Sequence, residues 1–161
     1  MTNITTQVHE IYIRATPQAI WDAITKPEWT ERYAYRGRME YDLRKGGTFR
    51  ALATAQMRAM GMAEVIIDGE VVEANPPNKL VQTYRMLFSD EMKAEGFTKI
   101  TWEIEATASG FTRLTVTHDL EGAPIMAGMV ANKFSEMGTG GWSWILSDLK
   151  SLLETGKPLA G

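Results

Sequence analysis

The apolar positions of this chain change period three times. Val8 to Arg14 alternates, with Ile11 and Ile13 on one face, and this predicts a first strand. Ala19, Ile20, Ala23 and Ile24 then follow helical spacing, with Trp21 beside the stripe. Thr16 and Pro17 suit the start of that helix, because threonine caps free amides and proline fits the first turn. Lys26-Pro27 ends it, and a second short helical segment from Glu28 to Tyr33 carries Trp29 and Tyr33.

From Arg36 the period is two. Arg38 to Arg44 and Thr48 to Ala55 flank Lys45-Gly46-Gly47, a hairpin turn. Ala63 to Ala74 predicts a long strand with Val65, Ile67 and Val71 on its more apolar face. Asn75-Pro76-Pro77-Asn78 is a turn, since two prolines cannot continue a ladder. Leu80 to Phe88 follows, and a charged loop from Ser89 to Gly96 leads to Lys99 to Ala106. Ser109-Gly110 turns the chain into Phe111 to Leu120, and Ala123 to Met137 reads as a loop with a short helix. Short turns between successive strands imply antiparallel pairing.

The period returns to helical at Gly141. Trp142, Ile145, Leu146, Leu149, Leu152 and Leu153 share a face, with Asp148, Lys150, Ser151 and Glu154 placed opposite. Gly156 and Pro158 end this helix. Seven strands, two short helices after the first strand and one long terminal helix predict an α+β fold, a sheet curved around the helix. One helix cannot fill the concave side of a long curved sheet, so a pocket is expected in the part it leaves open.

Composition narrows the function classes. At 161 residues a single domain spanning 1–161 is expected. A net charge of −3 carries no basic footprint for nucleic acid. With no cysteine, disulfides and thiolate chemistry are excluded; with two histidines, so is an all-histidine metal triad. No apolar run approaches the ~20 residues that cross a bilayer, and residues 1–10 lack the apolar core of a secretory signal. A cytoplasmic protein is expected, with no membrane partner, no metal and no cofactor. Ten methionines, clustered at Met57, Met60 and Met62 and again at Met126, Met129 and Met137, suit irregular core gaps or an adaptable binding surface.

Among polar residues His118 stands out, because it shares strand parity with Leu114 and Val116 and should point inward. There it could act as a general base or a hydrogen-bond anchor, or be satisfied by backbone carbonyls at the strand end. Gln82 and Tyr84 share parity with Leu80 and Met86, and a few polar groups in an apolar cavity would orient a ligand. They could equally bond to each other or to water. Trp102 belongs with Ile100 and Ile104, and Phe49 with the small Ala51 and Ala53. Tyr33, with Trp29 and Tyr35, lies where the short helices should close one end. Trp142 is expected to seat the terminal helix on the sheet. The carboxylate pairs Asp68/Glu70 and Glu103/Glu105 lie opposite the apolar register and read as solvated faces. No G-x-S-x-G elbow or phosphate loop occurs, so no catalytic residue is assigned.

In order, Ala15-Thr16-Pro17 with Ile20 to Thr25, Tyr41 to Arg50, Gly69 to Glu73 with Pro76-Pro77 and Leu80-Val81, Thr112 to His118, and Gly141-Trp142 with its helix together resemble the SRPBCC (START and birch-pollen-allergen-like) superfamily. Within it they are most similar to the family homologous to the C-terminal domain of the heat-shock-protein-90 ATPase activator. The resemblance implies a helix-grip fold around an apolar cavity. The superfamily includes carriers, cyclases, hydrolases and co-chaperones, so no single activity is implied. This chain has Gln82 where the family usually has an aromatic residue, which predicts a polar group at the cavity wall. The leading expectation is a small hydrophobic ligand held by Tyr33, Phe49, Tyr84, Trp102, Met126, Met129 and Met137, with His118 and Gln82 as polar anchors. The alternatives are a chaperone-binding module, with an exposed apolar patch near Met57 to Met62, and an enzyme acting on an aromatic substrate with His118 as base. A monomer or a homodimer fits either.

Overall fold

The computed structural model describes residues 5–131 and 140–159. Strand β1 (Thr6–Ile13) leads to helices α1 (Pro17–Thr25) and α2 (Pro27–Thr30). Strands β2 (Arg38–Tyr41) and β3 (Thr48–Leu52) form a hairpin, followed by helix α3 (Ala55–Ala59). Strands β4 (Val65–Asn75) and β5 (Lys79–Met86), helix α4 (Asp90–Glu95), and strands β6 (Thr98–Ala106) and β7 (Thr112–Asp119) come next. Helices α5 (Pro124–Val130) and α6 (Gly141–Thr155) close the chain. All seven strands pair antiparallel in one sheet ordered β1-β7-β6-β5-β4-β3-β2. This is the helix-grip architecture that the strand and helix order predicted. No described helix is long and apolar enough to cross a membrane.

Two short helices lie where strand or loop was expected. Thr54 ends β3 early because its hydroxyl accepts from Met57 N at 3.1 Å, capping α3. Ser89 does the same for α4, accepting from Met92 N at 3.2 Å, with Asp90 and Glu91 in the first turn where the helix dipole favours acids. Both caps are short-range polar signals inside segments that lack an apolar period.

The sheet bends at two bulges on β4. Ala51 pairs with Ile67 and Leu52 with Val65, which leaves Ile66 as the extra residue. Val71 pairs with Gln82 and Glu73 with Val81, which leaves Val72 over. A bulge adds local twist and turns side chains out of strict alternation. Ile66 and Ile67 are accordingly both buried, although they are neighbours on one strand. β4 and β5 also approach closely: a Cβ on Gly69 would sit 2.0 Å from the Thr83 carbonyl oxygen.

Helix α6 packs on β1, α1 and α5, at one end of the sheet. The large apolar cluster lies there, joining Ile13, Ile104, Leu114 and Val116 to Leu146, Leu149 and Leu152. A second cluster of Phe49, Ala51, Ile66 and Ile67 forms under β3 and β4. The two do not merge, and the space between them stays open.

Asp148 corrects the sequence reading of α6. It was placed on the polar face, yet it is 1% exposed. Its carboxylate accepts from Ala34 N at 2.7 Å and from Leu159 N at 2.5 Å, so it ties α6 to the segment after α2 and to the chain beyond the helix. A buried carboxylate is stable only when hydrogen-bonded in this way.

Candidate functional site

A cavity of about 210 Å3 lies between the concave face of the sheet and the start of α6. Its wall is mostly apolar, with aromatic rings set among aliphatic and methionine side chains. The Tyr41 and Phe49 rings lie 4.6 Å apart, and Phe49 stacks on Tyr84 at 6.0 Å with 19° between planes. Trp102 and Trp142 meet edge to face at 5.3 Å. Ala51 and Ile67 complete the sheet side, and the smallness of Ala51 leaves room beside Phe49.

Gln82 is the most buried polar side chain of the wall, 1% exposed. Its Oε1 accepts from Tyr41 Oη–H at 2.9 Å and from Trp102 Nε1–H at 3.0 Å. An indole nitrogen only donates, so the atom facing it must be the amide oxygen, and the orientation of the amide follows. Burial raises the Tyr41 phenol far above its ordinary pKa, with the Tyr33 phenol adding to the effect, so Tyr41 remains a neutral donor. Tyr33 and Tyr84 are raised as well, by burial first, then by Asp148 and by Tyr35 respectively.

Residues 34–37 line the cavity, and the exposed Tyr35 and Arg36 place this segment at its mouth. Ala34 and Arg36 have φ of 53° and 60°, a left-handed conformation that costs a non-glycine residue stability and persists only when surroundings impose it. Asp148 imposes it through the Ala34 amide, and the Tyr35 ring packs on Trp144 of α6 at 5.2 Å. The mouth is therefore held by the terminal helix.

His118 lies behind the wall and does not line the cavity. It is fully buried, and both ring nitrogens are used. Trp142 Nε1–H donates to Nδ1 at 3.1 Å, so Nδ1 must carry a lone pair and the proton belongs on Nε2. Nε2 contacts Thr98 Oγ1 at 2.8 Å, and that hydroxyl in turn donates to the Tyr84 carbonyl at 2.9 Å. Burial pulls the His118 pKa down to about 4, with Asp119 opposing weakly and His9 assisting. A neutral imidazole with both nitrogens occupied is a structural joint between α6 and the sheet. The expectation of backbone carbonyl partners is corrected: its partners are the side chains of Thr98 and Trp142.

Of the residues expected at the pocket, Tyr33, Phe49, Gln82, Tyr84, Trp102 and Met129 all line this cavity. Met126 is buried in the core cluster beside it, with its sulfur 3.5 Å from Thr98 Oγ1, and is not a wall residue. Met137 lies outside the described residues. Tyr33 contributes its ring only, because its hydroxyl donates to the Ala23 carbonyl at 3.0 Å. Tyr41, Met57 and Ile66 are wall residues that sequence reasoning missed. Tyr41 was within reach, since Met39 and Tyr41 alternate with Arg38, Glu40 and Asp42. Ile66 was not, because the bulge that turns it inward leaves no mark in the pattern. Among the described residues no group of three or more histidines, aspartates or glutamates could hold a metal ion.

A family model described as Activator of Hsp90 ATPase homolog 1-like protein matches residues 14–154. The chain belongs to this family. That match begins just after β1 and runs into the last turn of α6, so every residue lining the cavity falls inside the family's extent. Solved structures agree on the fold. The Aha1 dimer of Colwellia psychrerythraea has a TM-score of 0.66 at 19% identity, covering 96% of this chain and 99% of its own. PFC0360w, an HSP90 activator from Plasmodium falciparum, has a TM-score of 0.57 at 20% identity, covering 97% and 91%. DynU16, a protein of the dynemicin biosynthetic locus, has a TM-score of 0.67 at 21% identity, covering 96% of this chain and 49% of its own. No curated protein matches the chain. The chain thus shares its helix-grip fold both with a protein described as an HSP90 activator and with one from a biosynthetic locus.

Proposed function

We propose that this protein binds a small hydrophobic molecule in the cavity between the sheet and α6. The observation that carries the reading is a void of about 210 Å3 with an apolar wall, in which Phe49 stacks on Tyr84. Binding to the folded state alone stabilises it by ~2.7 kcal/mol at a hundredfold excess over Kd. For a domain of this size that raises Tm by roughly 5–10 °C. A thermal-shift panel of sterols, fatty acids, isoprenoids and aromatic polyketides should contain at least one such compound. Native mass spectrometry of the purified protein should retain one. A flat panel together with a bare mass would defeat the proposal.

A second reading, a chaperone-binding module, draws on the family description and on the neighbour described as an HSP90 activator. Met60, exposed at the end of α3, offers an apolar contact for it. Its neighbour Met57 belongs to the cavity wall, so the surface available there is small. Recovery of Hsp90 from solution by the immobilised protein, lost in Met60→Glu, would favour this reading. The enzyme reading loses its base, since neither nitrogen of His118 is free to meet a substrate.

A further inference from the structure

Two polar groups of the cavity wall have no hydrogen-bond partner among the described residues: the Gln82 amide nitrogen and the Tyr84 hydroxyl. Both belong to β5, two positions apart, and so face the same side of the sheet. The Gln82 oxygen is saturated by Tyr41 and Trp102, which locks the amide and leaves both N–H bonds of Nε2 over. Among the described residues no sealed side-chain nitrogen or oxygen lacks a partner. The Gln82 nitrogen therefore opens on the cavity instead of being buried against carbon. An amide held this rigidly by two donors, in a mostly apolar wall, is a preorganised donor waiting for an acceptor.

We infer that the cavity selects a flat, uncharged aromatic molecule bearing a carbonyl group, whose oxygen accepts from Gln82 Nε2 while its ring plane lies along the Tyr41–Phe49–Tyr84 stack. This rests on the reading of the cavity as a ligand site and specifies its chemistry. The ring preference follows from the stacked geometry, with Phe49 between Tyr41 at 4.6 Å and Tyr84 at 6.0 Å. The preference for a neutral acceptor follows from the donor, a neutral amide on a mostly apolar wall, which cannot repay the desolvation of an anion. Arg36, the cation that also lines the cavity, is exposed to solvent and already has a partner of its own. Size agrees with an aromatic ring: an apolar cavity of ~150 Å3 takes benzene, so about 210 Å3 encloses one ring with a short substituent, and a second fused ring extends into the mouth.

The test uses three probes, 2-acetylnaphthalene, 2-ethylnaphthalene and 2-naphthoate, titrated calorimetrically into the protein and into Gln82→Leu. The quantity read is the ketone-to-hydrocarbon affinity ratio in the protein divided by that in the variant, expected at roughly 3- to 10-fold for one hydrogen bond. Because Gln82→Leu also strips Tyr41 and Trp102 of their acceptor and so puts folding at risk, the infrared carbonyl stretch of bound 13C-labelled ketone is measured in the unaltered protein. It should lie to the red of its position in hexane. Binding of both neutral probes with a ratio near one, or an unshifted carbonyl, overturns the inference and leaves the ligand site standing. Tighter binding of naphthoate than of the ketone also overturns it. If no probe binds, the cavity reading falls for aromatic ligands and this inference falls with it.

Discussion

Acidification from pH 6.5 to about 4 is expected to cost this fold about 3 kcal/mol through His118 alone. The imidazole of an unfolded chain takes its proton near pH 6.5. In the folded protein burial holds the pKa down to about 4. Between those values the unfolded state binds more protons, so stability falls as pH falls, at up to ~1.4 kcal/mol per pH unit. Above pH 6.5 the contribution is constant, and below about 4 no more is lost. The geometry gives the cause: a proton on Nδ1 would face the Trp142 Nε1–H at 3.1 Å, two donors with no acceptor between them. The perturbation that isolates the effect is His118→Gln, which offers an oxygen to Trp142 and an amide to Thr98 but does not titrate. Urea unfolding followed by tryptophan fluorescence at pH 7.5, 6.5, 5.5 and 4.5 gives both stability curves. Carboxylates that do not interact with His118 contribute to both and cancel in the difference, which leaves His118 together with its coupling to Asp119 and His9. At pH 7.5 the variant should be weaker by about 1–2 kcal/mol, the loss expected from imperfect replacement of buried hydrogen bonds. By pH 4.5 the order should reverse, since only the parent has lost its His118 contribution. Parallel curves across the whole range would refute both the burial argument and the assignment of the proton to Nε2.

Three other perturbations bear on the site. Asp148→Ala should lower stability by about 3 kcal/mol, because the Ala34 and Leu159 amides each lose an acceptor at ~1–3 kcal/mol apiece; circular-dichroism melting reads it, and Asp148→Asn should recover part. An Ala variant that melts with the parent would show that the mouth is not held by α6. Gly69→Ala should cost upwards of ~2 kcal/mol, since the new Cβ would meet the Thr83 carbonyl oxygen at 2.0 Å and backbone cannot yield cheaply; a denaturation midpoint equal to the parent's would contradict the close β4–β5 approach. Ala51→Leu should leave stability within ~1.5 kcal/mol, as the added carbons enter open space, while weakening any cavity ligand at least tenfold by calorimetry. Unchanged affinity would mean that the ligand sits elsewhere.

Sequence reading misplaced Asp148 for an instructive reason. Asp148 was assigned to the polar face by its charge, yet Ile145, Asp148, Leu149 and Leu152 fall at i, i+3, i+4 and i+7, a single helical stripe. Spacing carried the signal and charge masked it. His118 and Gln82 were legible to the extent that strand parity is legible: both point inward, as Leu114, Val116 and Leu80 do. Their partners were not. Trp142 is 24 residues from His118, and Tyr41 is 41 from Gln82.

By itself the sequence determined what depends on neighbours a few positions away. The two periods, the caps at Thr16 and Gly156, and the proline turn at 76–77 established the element order and the antiparallel pairing, and the ordered motifs placed the chain in its superfamily. Only the tertiary structure decided where the void lies and which groups face it. The bulges at Ile66 and Val72 break the alternation of β4, and Ile66 thereby joins Gln82 on the cavity wall, whereas His118 on β7 lies outside the lining. Periodicity is a local property of the chain, whereas the meeting of polar atoms depends on register and bend summed over several strands.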